Sequence, residues 1–272
     1  MTDQVEIHTG TNELLCNVRE GVATITMNRP EARNAMSDDM TPALWRQIRE
    51  RGEDPSVGAI IITGAGSAFC AGGNVKGMGA NRAPVPPEER VKTLKERQRN
   101  LTGALMNLRK PTIAALPGSA AGAGLAIALA CDIRIAAQSA FADAGYARVG
   151  LAGDYGISWL LTRAVGSPIA RELMFTASRV DSARGERIGL FNRVVPGADL
   201  MSEAFALAKT MASGPKVALE LMKDNLDDAA TIDFMTAIDR EAERMVKSSL
   251  TADHHEAVRA FIEKRKPVFV GK

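Results

Sequence analysis

The sequence predicts an α/β fold, and three features indicate it. Runs rich in β-branched residues, such as Val22–Met27, alternate with segments in which apolar residues recur at helical spacing. Glycine-rich turns follow two of the strand runs. From Leu200 onward only helical spacing is present. These features divide the chain into an α/β core over residues 1–199 and a helical region over residues 200–272.

The composition is that of an ordinary globular protein with a buried core. Of the 272 residues, 46% are hydrophobic and 24% are charged, and 34 basic residues nearly balance 32 acidic ones to leave a net charge of +2. This balance argues against nucleic acid or an anionic membrane as the main partner. The three cysteines form no CxxC pair and predict neither a disulfide framework nor a metal site. Because the polar residues 1–10 lack the apolar core of a secretion signal, we predict a cytoplasmic protein.

The first part of the chain contains strand-to-helix units. Val22–Met27 is a β-rich run that ends before Pro30, and Ser37 is placed to cap a helix with one apolar face. That face consists of Met40, Leu44 and Ile48. Residues 58–63 are almost continuously apolar, as in a strand that is covered on both faces. A polar, glycine-rich loop over residues 64–79 follows.

Residues 80–87 hold three prolines and predict a surface loop, which an amphipathic helix follows. The apolar residues of this helix are Val91, Leu94, Leu101, Leu105 and Leu108. The uncharged residues 111–131 are long enough to span a bilayer, but the pair Pro117 and Gly118 would break a helix there. We therefore predict no membrane span. The elements expected instead are a strand at Thr112–Leu116, a tight turn, a buried helix at residues 125–130 and a strand at residues 132–137.

The rest of the chain is predicted to be mainly helical. A helix is expected over residues 154–165, and Ser167 should cap the next one with Pro168 at its first position. Beyond Leu200 three or four helices are expected. One apolar stripe among them consists of Ile232, Met235, Ile238, Ala242 and Met245. Such stripes are core or subunit contacts more often than ligand sites, so we predict that this region mediates assembly.

Two glycine-rich turns carry the chemical signal of the sequence. Residues 63–78 read Thr-Gly-Ala-Gly-Ser-Ala-Phe-Cys-Ala-Gly-Gly-Asn-Val-Lys-Gly-Met, and residues 117–132 read Pro-Gly-Ser-Ala-Ala-Gly-Ala-Gly-Leu-Ala-Ile-Ala-Leu-Ala-Cys-Asp. Two such turns can direct free peptide N–H groups at one oxygen that becomes negatively charged. The pair therefore predicts acyl-thioester chemistry. One turn alone would be a weak signal, because glycine-rich turns are common.

Several motifs in a fixed order resemble those of the crotonase superfamily, the enoyl-CoA hydratase/isomerase family. They run from Asn-Arg-Pro-Glu-Ala-Arg-Asn-Ala-Met at residues 28–36, through both turns, to Phe-Ile-Glu-Lys-Arg-Lys-Pro at residues 261–267. The resemblance implies a crotonase-like spiral of ββα repeats with a C-terminal α-helical trimerisation region. It also implies a homotrimer or a dimer of trimers. The substrate would be an acyl-CoA thioester, with coenzyme A as part of the substrate and no separate cofactor.

The resemblance also implies which residues form the site. The two oxyanion donors would be the peptide N–H groups of Gly73 and Ala123, and a helix that starts near Gly122 would add the positive end of its dipole. Arg33 and Ala35 match the segment that lines the adenine and phosphate end of coenzyme A, and Ala71, Gly73, Asn74, Val75 and Lys76 match the loop along the pantetheine. Lys76 would bind a phosphate or else remain an ordinary solvated lysine.

The sequence departs from the hydratases of this family at the reacting centre. Those enzymes activate water with two glutamates, and the matching positions here hold Ala126 and, at or near the second one, Tyr146. Because hydration needs one group to deprotonate water and another to protonate carbon, a simple hydratase is not expected. Tyr146 would hydrogen-bond the acyl group or a water, or else form part of the pocket wall.

Asp154 is the leading candidate for the base. Its position resembles that of the catalytic aspartate of dienoyl-CoA isomerases and of the nucleophilic aspartate of chlorobenzoyl-CoA dehalogenases. Its alternative role is that of a helix N-cap, because it directly precedes a predicted helix. Asp143 is the fallback base.

We therefore expect an isomerase or lyase that shifts the double bond of an enoyl-CoA or dienoyl-CoA. The alternatives are an enoyl-CoA hydratase of fatty acid β-oxidation without the two glutamates, a CoA-binding scaffold, and an RNA-associated relative. RNA binding is the weakest, because the basic helix at residues 90–99 also carries Glu96 and lacks aromatic residues. No metal site is expected, since His8, His254 and His255 lack the spacing of metal ligands and should lie at the surface.

Overall fold

Two β-sheets lie at the centre of the fold. The computed structural model describes residues 4–73 and 85–272 of the chain. The strands in these ranges are β1 Val5–Ile7, β2 Leu14–Arg19, β3 Val22–Met27, β4 Ala59–Gly64, β5 Ala68–Cys70, β6 Thr112–Leu116, β7 Ser119–Ala121, β8 Ile133–Ala137, β9 Phe141–Asp143, β10 Val180–Asp181 and β11 Arg193–Val195. Seven strands form a large sheet in the order β1-β2-β3-β4-β6-β8-β11, and four form a small sheet in the order β10-β9-β7-β5.

Helices connect the strands and make up the C-terminal part of the chain. Within the same ranges they are α1 Met40–Glu53, α2 Pro87–Gln98, α3 Ala104–Asn107, α4 Ala123–Ala130, α5 Ile157–Val165, α6 Ser167–Thr176, α7 Ser182–Arg187, α8 Leu200–Ala212, α9 Lys216–Ala229, α10 Phe234–Ser249 and α11 Ala252–Ile262. A π-helical segment, Arg99–Gly103, joins α2 to α3. Short 3₁₀ turns lie at Pro30–Ala32, Tyr146–Val149 and Gly197–Asp199. The predicted α/β class is confirmed.

Strand β4 is covered on both faces, as its apolar sequence predicts. Every residue of this strand is buried, and it pairs in parallel with β3 on one side and β6 on the other. Ile60 and Ile62 belong to the larger of two hydrophobic cores, and Ile61 belongs to the smaller one. The strand begins one residue later than predicted, at Ala59.

One helix covers each face of the large sheet near β4. On one face α1 buries Met40, Leu44 and Ile48, and the hydroxyl of Ser37 accepts the N–H of Met40 at 2.9 Å, as predicted for a capping residue. On the other face α8 buries Leu200, Ala204 and Ala208 against the sheet. The first helix of the region 200–272 therefore shares a core with the sheet, and the division at residue 200 stays a prediction.

The uncharged residues 111–131 form the predicted strand, turn and short helix. They comprise β6, β7 and the whole of α4, and β6 has the predicted bounds. Among the described helices, none combines the length and apolar character needed to cross a bilayer.

Two helix starts differ from the predictions. Helix α5 begins at Ile157 instead of residue 154, and its N-cap residue is Gly156. Helix α6 begins at Ser167, so Gly166 is its N-cap and Pro168 is its second residue. In both cases a glycine with a positive φ angle ends the preceding loop, and this sets the start of the helix.

The helix predicted from Val91 to Leu108 is interrupted. The π-helical segment Arg99–Gly103 separates α2 from α3, and an extra residue per turn changes which side chains face the core. Leu101 and Leu105 are fully buried, whereas Val91 and Leu94 are exposed. The predicted apolar face is thus correct for the second half of the segment and wrong for the first half.

Candidate active site

Three parallel strands of the small sheet end at one edge, and the predicted site residues follow these ends. Strand β5 pairs in parallel with β7, and β7 pairs in parallel with β9. Gly72 and Gly73 follow β5, Gly122 and Ala123 follow β7, and Tyr146 follows β9. The carboxyl ends of neighbouring parallel strands lie side by side, which is where ligands bind in many α/β proteins. The fold therefore brings both glycine-rich turns together.

The two turns are in direct contact at Gly72. Its φ angle is +86°, and a methyl group on its α-carbon would lie 2.6 Å from the carbonyl oxygen of Ala121 and 3.3 Å from the peptide nitrogen of Ala123. A separation of 2.6 Å from backbone is shorter than a carbon atom tolerates, so this position requires glycine. The chain at residues 72–73 thus runs against the start of α4.

Gly122 turns the chain from β7 into α4. Its φ of +51° and ψ of −121° are accessible only to glycine, and its N–H donates to the carbonyl of Asp143 at 2.9 Å. Ala123 is then the first residue of α4, so its N–H has no acceptor inside the helix and lies at the positive end of the helix dipole. This arrangement leaves a peptide donor directed away from the helix.

The second predicted donor is the N–H of Gly73. Gly73 pairs with Met36 in a parallel bridge, in which the N–H of Met36 donates to the carbonyl of Gly72 at 2.8 Å. Within residues 4–73 and 85–272, neither Gly73 nor Ala123 donates its N–H to a hydrogen bond. The structure places both segments at the same edge of the small sheet, and their role as a joint oxyanion hole stays a prediction.

The residues assigned to coenzyme A lie in two adjoining segments. The N–H of Ala71 donates to the carbonyl of Arg33 at 3.0 Å, and the carbonyl of Ala35 accepts a bond from the side chain of Arg29. Arg33 is exposed, with its backbone in the left-handed region at a φ of +50°. Asn74, Val75 and Lys76 lie outside the described residues. The binding role of all these residues stays a prediction.

Tyr146 and Asp154 form a hydrogen-bonded pair beside Gly122. The Tyr146 hydroxyl donates to Oδ1 of Asp154 at 2.6 Å. A methyl group on Gly122 would lie 3.7 Å from Cζ and 3.8 Å from the hydroxyl oxygen of Tyr146, so the ring packs on the turn that leads to Ala123. Tyr146 is buried and Asp154 is half-buried. The sequence indicates both residues but not the bond between them.

Burial sets the protonation properties of this pair. It raises the pKa of Asp154 above its ordinary value of 3.8, and the hydrogen bond from Tyr146 lowers that pKa again in part, because it stabilises the carboxylate. Burial also raises the pKa of Tyr146, and the neighbouring Asp154 raises it further, so the phenol keeps its proton. The pair therefore consists of a neutral donor and a carboxylate that accepts protons more readily than an exposed aspartate.

Asp154 does not cap a helix. The N-cap of α5 is Gly156. Asp154 contacts the helix through its backbone carbonyl, which accepts the N–H of Ile157 at 3.1 Å. The carboxylate instead accepts the Tyr146 hydroxyl. The structure thus contradicts the N-cap alternative, because the chain is not yet helical at residue 154.

Asp143, the fallback base, is held in a separate arginine cluster. Its Oδ2 pairs with Nη2 of Arg148 and lies 3.8 Å from Nε of Arg179. Its side chain is only 5% exposed. Two guanidinium groups thus hold Oδ2 of Asp143, whereas the Asp154 carboxylate is held by a neutral hydroxyl. This contrast favours Asp154 over Asp143 as the base.

Ala126 lies in the core, and the three histidines lie at the surface. Ala126 is fully buried in α4 and brings no carboxylate to the site. His8, His254 and His255 are exposed, as predicted. In the described part of the chain no group of three or more His, Cys, Asp or Glu side chains is placed to hold a metal ion.

Sequence reasoning missed two residues next to the base. Tyr155 has a φ of +51° although it is not glycine, and its buried N–H donates to Oε1 of Gln98 at 2.6 Å. Gly153 and Gly156, which flank the pair Asp154 and Tyr155, were a signal for a turn at this point. Nothing in the sequence indicated that Gln98, more than fifty positions earlier, would reach this turn.

Comparison with known proteins agrees with the geometry. Residues 17–272 match the family model described as enoyl-CoA hydratase/isomerase. The chain is 35% identical over 260 residues to the 1,2-epoxyphenylacetyl-CoA isomerase of Escherichia coli, covering 95% of this chain and 98% of that protein. It is 34% identical over 261 residues to the short-chain-enoyl-CoA hydratase of Clostridium acetobutylicum, covering 94% of this chain and 96% of that protein. An enoyl-CoA hydratase from a Polaromonas species has a similar crystal structure, with a TM-score of 0.89, 31% identity and coverage of 94% of this chain and 99% of that one.

Proposed function

This chain belongs to the enoyl-CoA hydratase/isomerase family, and on that premise we propose that it shifts a double bond in an enoyl-CoA or dienoyl-CoA thioester, with Asp154 as the base. The family is shared with hydratases and isomerases, so the choice between these reactions depends on the groups at the reacting centre. Those groups are Ala126, Tyr146 and Asp154.

The observation that supports an isomerase most is the 2.6 Å hydrogen bond from Tyr146 to Asp154. The two positions at which the hydratases would have glutamates hold a buried methyl group, Ala126, and a buried phenol, Tyr146. Neither can take a proton from water at neutral pH, since burial raises the pKa of Tyr146. The carboxylate of Asp154 is bonded to Tyr146, whose ring packs on Gly122. One carboxylate is sufficient to move a proton from one carbon to another.

The proposed reaction needs no external group. Asp154 removes a proton from an acyl carbon adjacent to the unsaturated system, and the electron pair of that C–H bond moves into the conjugated chain. Negative charge collects on the thioester oxygen, where the N–H groups of Gly73 and Ala123 would stabilise it. Protonated Asp154 then returns the proton to another carbon of the same chain. Substrate and product therefore have the same atoms, and no electron leaves the molecule.

The local environment of Asp154 suits both transfers. Because burial raises its pKa, the carboxylate accepts the substrate proton more readily than an exposed aspartate. The Tyr146 hydroxyl occupies Oδ1 and orients the group, so that Oδ2 is the oxygen available to the substrate. Tyr146 is in this view a positioning residue.

The proposal is tested with a panel of enoyl-CoA and dienoyl-CoA thioesters in deuterated water, followed by mass spectrometry. An isomerase incorporates deuterium into the acyl chain and moves the double bond without net addition of water. Net addition of water would instead identify an enoyl-CoA hydratase. Binding of the thioesters without exchange, isomerisation or hydration would identify a CoA-binding scaffold and contradict the proposal.

Replacing Tyr146 by phenylalanine should shift the acid limb of the pH profile of kcat/KM to higher pH. In the native protein the Tyr146 hydroxyl lowers the pKa of Asp154 and opposes the effect of burial. Without that bond, burial acts unopposed and the pKa of Asp154 rises, so a higher pH is needed to ionise the base. The measurement is the rate of deuterium exchange by wild type and Tyr146→Phe across the acidic and neutral range.

The same comparison separates positioning from simple packing. A pocket-wall role would leave the rate close to that of the wild type at every pH, because phenylalanine fills the same space. A Tyr146→Phe profile with the acid limb of the wild type would therefore contradict the proposed coupling between Tyr146 and Asp154.

We also propose that the chain assembles as a homotrimer or a dimer of trimers through its C-terminal helices. The support is a set of exposed apolar side chains on α9, α10 and α11 and at the junction between α10 and α11. They include Met222, Leu226, Phe234, Met235, Met245, Leu250, Phe261 and Ile262. Such exposed apolar surfaces mark interaction sites more often than free surface.

Light scattering should give three or six times the chain mass of 29.0 kDa, and a monomer mass at micromolar concentration would contradict this assembly.

A further inference from the structure

We infer that Gln98 is a positioning residue for the base Asp154, acting through the peptide N–H of Tyr155. The inference rests on the proposed function, since it concerns how the proposed base is held. It starts from the 2.6 Å hydrogen bond in which the N–H of Tyr155 donates to Oε1 of Gln98. A side chain from the end of α2 thus reaches the turn that carries Asp154.

The bond from Gln98 fixes the peptide unit that follows Asp154. That unit consists of the carbonyl of Asp154 and the N–H of Tyr155. The carbonyl accepts the N–H of Ile157 at 3.1 Å, and the N–H donates to Gln98. With both ends bonded, the plane of the peptide cannot rotate freely. The Tyr146 hydroxyl holds the carboxylate itself at Oδ1, so three hydrogen bonds define the position of Asp154.

The conformation of Tyr155 requires such support. Its φ of +51° lies in the left-handed region, which is unfavourable for a residue with a bulky side chain. The residue as a whole is only 5% exposed, so water has little access to the N–H as an alternative partner. Loss of the acceptor would leave a buried donor unpaired and would favour rotation of the peptide toward a more common conformation. Such a rotation changes the ψ angle of Asp154 together with the φ angle of Tyr155, and so changes the turn that presents the Asp154 side chain.

The π-helical segment explains why Gln98 is available for this contact. Residues 87–97 of α2 are exposed, and Gln98 is the first half-buried residue of the helix. The segment Arg99–Gly103 follows directly and buries Leu101 and Thr102. The Thr102 hydroxyl donates to the carbonyl of Gln98 at 3.3 Å. The wider π turn anchors the chain immediately after Gln98, and π turns of this kind are frequent at functional sites.

The test compares Gln98→Ala with Gln98→Glu in the full-length protein. Gln98→Ala removes the acceptor and should lower kcat for deuterium exchange roughly 10- to 100-fold, with KM for the thioester within about twofold of wild type. Gln98→Glu keeps an oxygen at the same reach and should restore most of the lost kcat. Glu96→Ala, an exposed change on the same helix, should leave both constants at the wild-type values.

The outcomes separate this inference from the proposed function. A wild-type kcat in Gln98→Ala, or an equal loss in Gln98→Ala and Gln98→Glu, would overturn the role of Gln98. Amide hydrogen exchange at Tyr155 gives a readout that needs no substrate, and Gln98→Ala should accelerate it while Gln98→Glu should not. If wild type turned over no thioester, the proposed function would fail, whereas this exchange measurement would still decide whether Gln98 holds the turn.

Discussion

Replacing Asp154 by asparagine should lower the rate of deuterium exchange into the acyl chain by roughly 1000-fold. Asparagine fills the same volume and can still accept the Tyr146 hydroxyl, but it cannot take a proton from carbon. The residual rate would come from thioester polarisation alone. The measurement is exchange by wild type and Asp154→Asn at a concentration of thioester that saturates both proteins.

Asp154→Asn should also be at least as stable as the wild type at neutral pH. The pKa of Asp154 is raised in the folded chain above its ordinary value of 3.8, so folding favours the protonated form. The contribution of Asp154 to the free energy of unfolding is complete below the ordinary pKa of 3.8. It is lost as the pH rises through the raised pKa of the folded protein. The stability difference between Asp154→Asn and wild type should therefore grow from acidic to neutral pH, as measured by thermal unfolding. Lower stability of the variant at neutral pH would contradict this account of the carboxylate.

Asp143→Asn is the matched control, because Asp143 is a second aspartate near the site and is buried. Its loss removes the carboxylate that pairs with Arg148 and Arg179, so the main effect should be on stability. Exchange per folded molecule should fall far less than in Asp154→Asn. If Asp143→Asn abolished exchange and Asp154→Asn did not, the base would be Asp143.

Replacing Gly72 by alanine should lower kcat/KM by at least about 100-fold, the loss typical of a displaced oxyanion donor. The added methyl group would meet the carbonyl oxygen of Ala121 at 2.6 Å and the nitrogen of Ala123 at 3.3 Å. Both partners are backbone atoms that cannot rotate aside, so the segments that carry Gly73 and Ala123 must separate. Steady-state kinetics with a thioester substrate would measure the loss, and thermal unfolding would measure the accompanying destabilisation.

Gly21→Ala controls for the backbone conformation. Gly21 has a φ of +76°, close to the +86° of Gly72, but its added methyl group would meet only ordinary contacts at 3.6 Å. Alanine at such a position costs about 1 to 2 kcal/mol from its left-handed conformation alone. Gly21→Ala should therefore lose stability without losing kcat/KM per folded molecule. An active Gly72→Ala variant would show that close contact of the two turns is not required.

The two turns were predictable because their signal is local and chemical. Glycine after a strand run indicates a tight turn, and two such turns in a fixed order indicated one shared site. The bounds of the strand Thr112–Leu116 are also as predicted, since a short apolar run between two prolines leaves little freedom. What the sequence could not supply was the pairing of β5 with β7 and of β7 with β9, which joins residues far apart in the chain.

The helix predicted from residue 154 shows how a local rule fails at a site. Asp is a common N-cap, and apolar residues at helical spacing follow it. Yet Gly156 begins the helix, and Asp154 and Tyr155 stay in the preceding turn. The flanking glycines carry this information, because each adopts a positive φ that a helix excludes. The carboxylate is thereby free to face Tyr146 instead of a helix terminus.

The prediction of one continuous helix after residue 87 is wrong for a different reason. Apolar residues recur at helical spacing over residues 91–108. The π-helical segment, however, changes which side chains face the core after Gln98. Periodicity cannot show such a shift, since one extra residue in a turn looks like ordinary scatter in the pattern. The contact between Gln98 and Tyr155 follows from this register and could not be predicted from the sequence.

In the proposed mechanism the N–H groups of Gly73 and Ala123 bind one thioester oxygen while Asp154 faces the acyl chain. A crystal structure of the protein with a bound acyl-CoA tests it directly. We expect the thioester carbonyl oxygen to lie about 3 Å from the peptide nitrogens of Gly73 and Ala123. We expect the Asp154 carboxylate to lie beside the acyl carbons that follow this carbonyl. A carbonyl oxygen bonded to other groups, or an acyl chain directed away from Asp154, would contradict it.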